Sequence, residues 1–403
     1  MKAIEGNVVQ VNRDDIKTMV AFLFTFPFLK PTYFMAFDQY DDIFNALRIA
    51  SFSIITAYYF VIRRKSSPIA ILIVLMHVFV LANTYMQGGD VYTCAKDSFP
   101  IVAIILLYDI LINDSVDAFI NSQLLCFEIV VYINLLTQIR YPGGMLVLKG
   151  AFHSVSNKWW FLGYYNTYTP YFIPAVVFAL LYCHRTGLYI RTIGLVSAVV
   201  ISSLLARSGG NTLAIVIMVG TYLIFSRWTI MFNYINYWLM QVGFYIVIII
   251  MNAQSKFSWL LNDILNKSSS LKGRMRLWKR TINILKNSPW LGYGTRSGLY
   301  RVHENRVGAW AIYAHNLILE LVYQGGLIYL GMFVVLIIMA GNKMMGQKVN
   351  NAVKIISIGF LGWSVQSFVE AYRTPFLFGL FILAYYFDRF NRSLTRKKVK
   401  FII

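Results

Sequence analysis

The sequence predicts an all-α polytopic integral membrane protein of about 12 transmembrane helices, with a long external (periplasmic or extracellular) loop that carries amphipathic helices. Hydrophobic residues make up 58% of the 403-residue chain and charged residues only 13%, against about 45–50% and about 25% in soluble domains. The charged residues are clustered, so many stretches are almost uncharged. Such stretches of about 18 or more apolar residues can cross a hydrocarbon core of ~30 Å as helices.

Twelve apolar runs give the predicted spans, and the fourth and the last are shorter than a comfortable crossing. The first half of the chain holds Met19–Phe37, Ile43–Ile62, Pro68–Met86, Phe99–Ile112 and Val116–Ile139. The second half holds Tyr168–Tyr182, Thr192–Ala206, Thr212–Phe225, Tyr234–Met251, Ala314–Ala340, Ile355–Val369 and Pro375–Phe387. The chain therefore divides into helices 1–9 in residues 1–251, an external loop in residues 252–313, and helices 10–12 with a basic tail in residues 314–403.

Lysine and arginine in short connections set the orientation, because they are retained on the cytoplasmic side of a membrane. Alternate connections carry Arg63, Arg64, Lys65, Arg185, Arg191, Arg227, Lys343, Lys348 and Lys354. The C-terminal tail adds Arg389, Arg392, Arg396, Lys397, Lys398 and Lys400. Both termini are therefore predicted to be cytoplasmic. The first 18 residues are mostly polar, and we expect no cleavable signal peptide there.

The remaining connections are predicted to face outward, and one of them is strongly basic. They are Asp38–Asp42, Gly88–Ser98, Arg140–Thr167, Arg207–Asn211, Asn252–Tyr313 and Glu370–Thr374. The Asn252–Tyr313 loop contains eleven basic residues and two acidic ones, and a loop of about 60 residues can be translocated despite such a charge. Two interpretations stay open, namely contact with anionic lipid headgroups and binding of an anionic substrate at the outer surface.

An amphipathic helix is predicted within this loop over Leu271–Asn287. Its apolar residues recur at three-and-four spacing, with arginine and lysine around them; they are Leu277, Trp278, Ile282 and Leu285. Such a helix is expected to lie in the membrane interface, where Arg274 would reach the depth of a lipid pyrophosphate. The planar guanidinium suits that partner because it makes paired, charge-assisted hydrogen bonds to phosphate oxygens.

Two outward-facing helix starts carry further candidates. At Ala314-His315-Asn316, the helix macrodipole attracts anions and disfavours imidazolium, so a neutral His315 could accept a proton from a sugar hydroxyl. At Arg207-Ser208-Gly209-Gly210-Asn211, small residues let backbone N–H groups approach an anion, and Asn211 could cap the following helix. An arginine at the mouth of a span can also be an anchor that reaches towards the headgroups.

Metal and disulfide chemistry find little support in the sequence. Cys94, Cys126 and Cys183 are far apart, which argues against disulfides and a cysteine-based metal site. The outward group Asp38, Asp41 and Asp42 lacks the Asp-x-Asp spacing of metal-using transferases, and a solvated acidic turn is the favoured interpretation.

Other residues within or near spans have structural and functional interpretations. His77 and Glu128 lie in predicted spans, where ionisable groups are costly, and we expect them to pair with each other or with the backbone. The aromatic run from Trp159 to Tyr168 is typical of an interfacial belt, with sugar stacking as the alternative. Lys30 could contact a phosphate, although a lysine that extends to the interface is the simpler interpretation.

Three motifs, in chain order, resemble the O-antigen ligase and polymerase superfamily, the WaaL/Wzy-type membrane glycosyltransferases. A predicted span ends in SSLLARSGG, like that family's helix-end arginine motif. The external loop carries GRMRLW and NSPWLGYGT, like GRxxxW…PxxGxG, and it closes with AHNLILELVYQGG, like AHNxxLexxxxxG. The motifs cover about Ser202–Gly326, and the twelve-span layout extends the resemblance over the chain.

The resemblance implies a glycosyltransferase that needs neither a metal nor a cofactor. Arg207 and Arg274 would bind the donor pyrophosphate with Arg276 as an auxiliary, and His315 would be the catalytic base. Asn316 and Lys30 are further auxiliary candidates. Trp278 is expected to be a packing residue of the motif.

The resemblance also implies a Wzy-type polymerase of the bacterial cytoplasmic (inner) membrane, with its active site on the periplasmic side. Such an enzyme joins undecaprenyl-pyrophosphate-linked repeat units into the O-antigen of lipopolysaccharide or into capsule. Expected partners are these lipid-linked glycans, membrane lipids and a chain-length regulator protein, but no nucleic acid.

Two alternatives to a polymerase stay open. One is an O-antigen ligase that transfers the glycan to lipid A core; a chain rich in Tyr, Phe, Ile, Asn and Lys is more typical of polymerases. The alternative of another class is a lipid-linked oligosaccharide flippase, for which paired halves are expected. Here only the second half carries a long basic loop.

Overall fold

The computed structural model describes residues 13–63, 66–149, 156–250, 268–307, 311–345 and 349–391. Several predicted features fall outside these ranges; they are Arg64, Lys65, Lys256, Asp263, Lys267, Lys348 and the tail from Arg392 onward. Within the described ranges the chain is predominantly helical, with one small sheet.

The described helices follow one another along the whole chain. They are α1 (Arg13–Thr25), α2 (Asp38–Ala57), α3 (Pro68–Met86), α4 (Val91–Asp114), α5 (Val116–Arg140), α6 (Thr169–Thr186), α7 (Ile190–Leu205), α8 (Gly209–Phe225), α9 (Tyr234–Phe244), α10 (Ser268–Leu285), α11 (Gly298–Asn305), α12 (Leu317–Met345), α13 (Asn351–Ser367), α14 (Pro375–Tyr385) and α15 (Phe387–Phe390). A π-helical turn extends α2 over Tyr58–Arg63, and another extends α9 over Tyr245–Ile250.

Each of the twelve predicted apolar runs contains helix, and the bounds of α3 agree at both ends. The first run is interrupted, because α1 ends at Thr25 and two short 3-10 helices follow at Phe26–Leu29 and Thr32–Ala36. Proline at positions 27 and 31 explains the interruption, since its ring cannot continue a helical hydrogen-bond ladder. The predicted acidic turn is instead the first turn of α2, where the helix macrodipole stabilises carboxylates.

Four described helical segments are long and apolar enough to cross a membrane: Asp38–Ile62, Pro68–Met86, Val116–Arg140 and Leu317–Met345. Three shorter apolar helices are α7, α8 and α14. Large side chains such as Ile43, Leu47 and Ile54 of α2 remain exposed on the outer face of the bundle, which indicates a lipid-facing surface. The chain therefore has the character of a helical membrane protein.

A three-stranded antiparallel sheet lies in the connection between α5 and α6, which the all-α prediction did not include. Its strands are β1 (Leu146–Lys149), β2 (Ser156–Trp160) and β3 (Gly163–Tyr164), in that order. Trp159 of the central strand β2 pairs with Leu146 of β1 on one side and with Tyr164 of β3 on the other. The predicted aromatic belt thus includes strand residues whose cross-strand pairs stabilise the sheet.

Contacts between connections join members of the same predicted side. On the predicted outer side, Arg296 Nη1 donates to Gly88 O at 2.7 Å, and Asp90 N donates to Thr295 O at 2.8 Å. On the predicted inner side, Lys17 Nζ lies 2.8 Å from Asp114 Oδ1. The arrangement of the helices is therefore compatible with the predicted alternation.

His77 and Glu128 were predicted to pair with each other or with the backbone, and neither pairing is found among the described residues. Glu128 instead accepts hydrogen bonds from Arg191 Nε at 2.9 Å and Arg191 Nη2 at 2.5 Å. His77 is buried, lies edge-on to Phe378, and has no hydrogen-bond partner among the described residues for either ring nitrogen. Glu128 therefore joins α5 to α7, and His77 packs in the core.

Candidate active site

Glu370 is the centre of a cluster that brings together two of the predicted site residues. Arg274 Nη2 donates to Glu370 Oε1 at 2.8 Å, and His315 Nδ1 lies 3.0 Å from Glu370 Oε2. Tyr313 Oη donates to the same Oε2 at 2.7 Å. The carboxylate side chain is only 2% exposed. One buried carboxylate therefore holds an arginine, a tyrosine and a histidine from two other segments of the chain.

The cluster favours the ionised form of Glu370. Burial raises the pKa of its carboxyl group, but the hydrogen bond and charge of His315 and the charge of Arg274 outweigh burial and lower that pKa overall. Burial beside this carboxylate raises the pKa of Tyr313 well above its ordinary value, so its hydroxyl keeps the proton that it donates. Glu370 is therefore an anion at neutral pH with compensating donors on both oxygens.

The ionised carboxylate fixes how the His315 ring is protonated. A carboxylate only accepts hydrogen bonds, so His315 Nδ1 must carry the proton in their contact. In the neutral ring, Nε2 is then the acceptor nitrogen, which is the form that a general base needs. The Tyr313 ring supports this orientation, because its centroid lies 4.0 Å from that of His315.

Both backbone polar groups of Ala314, the residue before His315, form hydrogen bonds with side chains. Ala314 N donates to Glu320 Oε2 at 2.8 Å, and Ala314 O accepts from Trp278 Nε1 at 3.0 Å. His315 itself has a φ of 48°, a left-handed conformation that costs a non-glycine residue on the order of 1–3 kcal/mol. The predicted packing role of Trp278 is confirmed, since the indole is fully buried and orients this segment.

Asn316, a predicted auxiliary residue, is fully buried and binds protein groups. Its Oδ1 accepts from Leu319 N at 3.1 Å, and its Nδ2 donates to Phe368 O at 3.1 Å. It therefore caps α12, whose first residue is Leu317. His315 lies one position before this cap.

Helix α10 presents Arg274 to Glu370 by packing on the protein rather than exposing its apolar stripe. Met275, Trp278 and Leu285 are buried against the start of α12, and Trp278 also contacts the Phe368 ring at 5.4 Å between centroids. The predicted position of this helix in the membrane interface stays a prediction, but its apolar stripe packs on the protein. The stripe anchors α10 to the bundle, and that anchoring fixes the position of Arg274.

The second and third motifs contact each other through a break in α12. Gly325 and Gly326 have non-helical backbone angles, so the predicted continuous span Ala314–Ala340 is interrupted. Leu327 N donates to Pro289 O at 2.9 Å, in place of a helical partner. A Cβ on Gly326 would lie 2.0 Å from Trp290 backbone atoms, so only glycine permits this approach.

Arg207 lies between α7 and α8, with a φ of 54° and an exposed side chain. None of the hydrogen bonds found among the described residues involves that side chain. A Cβ on Gly210 would lie 3.7 Å from Val369, so this connection reaches the end of α13 that precedes Glu370. Asn211 does not cap α8; it is buried within the helix, accepts from Thr169 Oγ1 and donates to Ser203 Oγ.

The other candidates lie apart from the Glu370 cluster. Arg276 is exposed on α10. Lys30 is buried and forms an ion pair with Asp41, and it also donates to Asn45 Oδ1 at 3.2 Å. Asp41 thus contacts a lysine, while Asp38 and Asp42 are exposed. Across the described ranges, no group of three or more His, Cys, Asp and Glu residues is arranged to hold a metal ion.

Some basic side chains of the external loop bind other groups of the protein. Arg296 donates to the carbonyl oxygens of Gln87 and Gly88. Arg301 forms a buried ion pair with Glu320 at 3.3 Å. These two arginines hold the loop to the bundle, whereas Arg274 and Arg276 keep surface that a ligand could reach.

Sequence reasoning missed Glu370 as a site residue. The sequence carried one signal, because Glu370 is the only acid in a short outward connection, directly after an apolar run. Its link to His315 spans 55 residues and depends on α13 returning to the start of α12. A histidine that can take a proton beside an arginine with unused donors is suited to chemistry on an anionic substrate.

Comparison with known proteins agrees with the motifs. A family model described as Wzy_C, O-antigen ligase, matches residues 193–335, a range that includes Arg207, Arg274 and His315 but not Glu370. No curated protein matches the chain. This match over residues 193–335 supports the resemblance of the chain to the O-antigen ligase/polymerase superfamily.

Proposed function

We propose that the protein polymerises undecaprenyl-pyrophosphate-linked oligosaccharide repeat units into O-antigen or capsular polysaccharide, at the outer face of a bacterial cytoplasmic membrane. The observation that carries this proposal is the convergence of Arg274 and His315 on Glu370. An anion-binding side chain and a proton acceptor are thereby held at one point. The proposal includes twelve spans with both termini in the cytoplasm, so that the cluster faces outward.

Arginine side chains supply the proposed site for the donor pyrophosphate. Arg274 has five N–H donors, and its contact with Glu370 uses one nitrogen, Nη2. The others can bind phosphate oxygens, together with Arg207 and with Arg276 as an auxiliary. Positive charge that is already in place stabilises the leaving pyrophosphate as its bond to the sugar breaks. No metal ion is required for that role.

His315 accepts the proton in the proposed reaction, and Glu370 stabilises the charge that forms on it. The hydroxyl oxygen of the acceptor sugar attacks the anomeric carbon of the donor, and its proton passes to His315 Nε2. The bond between that carbon and the pyrophosphate oxygen breaks, and the polyprenyl pyrophosphate leaves. Glu370 stabilises the imidazolium formed in this step, as a carboxylate does in other histidine pairs. A single displacement predicts inversion at the anomeric carbon.

A ligase is the second candidate, because the matched family is described as O-antigen ligase. Both enzymes would use the same donor and the same His315–Glu370 pair, and they differ in the acceptor. A polymerase uses a second lipid-linked repeat unit, and a ligase uses lipid A core. A flippase would require no proton acceptor beside an arginine, so the cluster favours a transferase.

Reconstitution separates these candidates. The purified protein is placed in proteoliposomes with lipid-linked repeat units from a strain that lacks it, in excess EDTA, with or without lipid A core. We expect a ladder of extended glycans without the core. Extension only onto the core would identify a ligase. If EDTA abolished extension and magnesium or manganese restored it, the metal-independent mechanism would be wrong.

A further inference from the structure

A second basic region lies outside the Glu370 cluster, in a cleft of about 320 Å³. Four cationic side chains line it: Lys30, Arg48, Lys96 and Arg373. Asp97 is the one acidic residue in the lining. The volume of the cleft falls at the lower end of the range for small-molecule sites, about 300–1,000 Å³. The cleft is therefore large enough for a charged group with a small attached segment.

The positive charge of the cleft is only partly neutralised within the protein. Lys30 pairs with Asp41. Arg48 donates from Nε to Pro27 O at 2.9 Å and from Nη2 to Phe28 O at 3.4 Å, and Arg373 donates to the side-chain oxygen of Gln324. These last acceptors are neutral, and the two carboxylates Asp41 and Asp97 are fewer than the four cations. A cleft with an excess of positive charge concentrates anions.

The cleft lies close to the Glu370 cluster. Arg373 follows Glu370 by three residues, which limits the distance between their Cα atoms to roughly 11 Å. The lining residues Lys96 and Arg373 belong to connections that are predicted to face outward, so the cleft is assigned to the same side. Two cationic regions are therefore within about the length of a short oligosaccharide.

Apolar side chains complete the lining beside the cations. Phe28, Pro100 and Phe376 form part of the wall. A pyrophosphate joined to an isoprenoid combines an anion with an apolar chain, and this lining can accommodate both. A hydrophilic anion alone would gain nothing from the aromatic surface.

From these observations we infer that the cleft binds the pyrophosphate of a second lipid-linked glycan, the acceptor of the polymerase reaction. This inference rests on the proposed function, which requires two such molecules to be bound at once. Both pyrophosphates occupy the same depth in the membrane, so their sites must lie side by side. The acceptor glycan then spans from the cleft to His315, where its terminal hydroxyl reacts.

Site-specific cysteine protection tests the inference without any glycosyl transfer. Met35 lines the cleft and is 53% exposed, so Met35→Cys, in a background without Cys94, Cys126 and Cys183, reports on occupancy through its rate of maleimide labelling. We expect geranyl pyrophosphate to slow labelling at least fivefold, and more strongly than inorganic pyrophosphate. Leu299→Cys, which lies outside the cleft, should label at an unchanged rate.

Second substitutions assign the protection to one of the two regions. Lys96 is exposed, so Lys96→Gln should fold normally and remove most of the protection at Met35→Cys, while Lys158→Gln, at another exposed lysine, should not. Arg274→Ala should leave the protection intact.

Protection lost with Arg274→Ala but kept with Lys96→Gln would overturn the inference, as would no protection at all. Equal protection by both pyrophosphates would overturn the lipid assignment. Because labelling is independent of glycan extension, failure of the proposed function is recognised separately.

Discussion

The side chain of His315 contacts Glu370, with Nδ1 and Oε2 3.0 Å apart, although the two residues belong to different connections between helices. Glu370 also receives Tyr313 at the same oxygen and Arg274 at the other. The carboxylate is therefore shared between the proposed base and the proposed pyrophosphate ligand. The proposed mechanism therefore depends on the charge of Glu370 rather than on its shape.

Glu370→Gln tests the importance of that charge. The amide has nearly the shape of the carboxylate but cannot stabilise an imidazolium, so we expect turnover to fall on the order of 10²-fold, within the range for general-base catalysis. Donor binding should persist, because Arg274 keeps its charge and no longer forms an ion pair with a carboxylate. Steady-state extension kinetics and donor binding on purified protein measure both quantities. Turnover within twofold of the wild type would exclude a catalytic effect of the charge.

The lowered pKa of Glu370 predicts how stability depends on pH. Its ordinary value is 4.5, and a lowered folded-state pKa stabilises the protein fully above that value and loses this effect as the pH falls through the folded-state pKa. The difference in melting temperature between the wild type and Glu370→Gln should therefore be fully present at about pH 5. It should narrow below about pH 4.5. A difference that stayed constant down to pH 3 would contradict the assignment of these partners to Glu370.

Arg274→Lys separates charge from geometry at the proposed pyrophosphate site. Lysine keeps the charge but loses the planar set of donors, so it cannot bind Glu370 and two phosphate oxygens in the same way. We expect donor KM to rise at least tenfold. Arg280→Lys is the matched control, because Arg280 is exposed on the same helix, α10, and has no proposed role in donor binding. Equal donor KM values for the two variants would contradict the proposed role of the Arg274 guanidinium.

Cysteine labelling tests the orientation of the bundle. Leu299 of α11, in the predicted external loop, is 85% exposed, and Asn351 is exposed at the start of α13. In a cysteine-free background, Leu299→Cys should react with an impermeant maleimide in intact spheroplasts, and Asn351→Cys should react only after permeabilisation. The reverse pattern would place the cluster in the cytoplasm, where the proposed lipid-linked donor is not used.

The sequence predicted the local features of this protein well, because each had a local cause. α3 begins at Pro68 behind the side-chain cap of Ser67 and ends before a Gly-Gly pair. The association of Arg274 with His315 was predicted by their motifs, and the structure adds Trp278 and Ala314 as the contact that aligns these motifs.

Features that depend on distant residues could not be predicted in the same way. The pairing of Glu370 with His315 requires α13 to return to the start of α12. The break at Gly325-Gly326 had a visible cause in two adjacent glycines, but only the approach of Pro289 and Trp290 makes the break favourable. The sequence did not predict the partner of Glu128 because Arg191 lies on a different helix, α7.

The His315→Ala variant gives the most direct test of the account. Removal of the base should reduce glycan extension by about 10²–10⁴-fold, while the same purified, monodisperse sample still binds the lipid-linked donor. Asn316→Ala is the control for a purely structural effect, because it removes the α12 cap and should cost about 1 kcal/mol of stability with extension kept in the folded protein. Extension and donor binding measured together on His315→Ala decide the matter. Loss of extension with donor binding retained is the predicted result, and near-normal extension would contradict the role of His315 as the base.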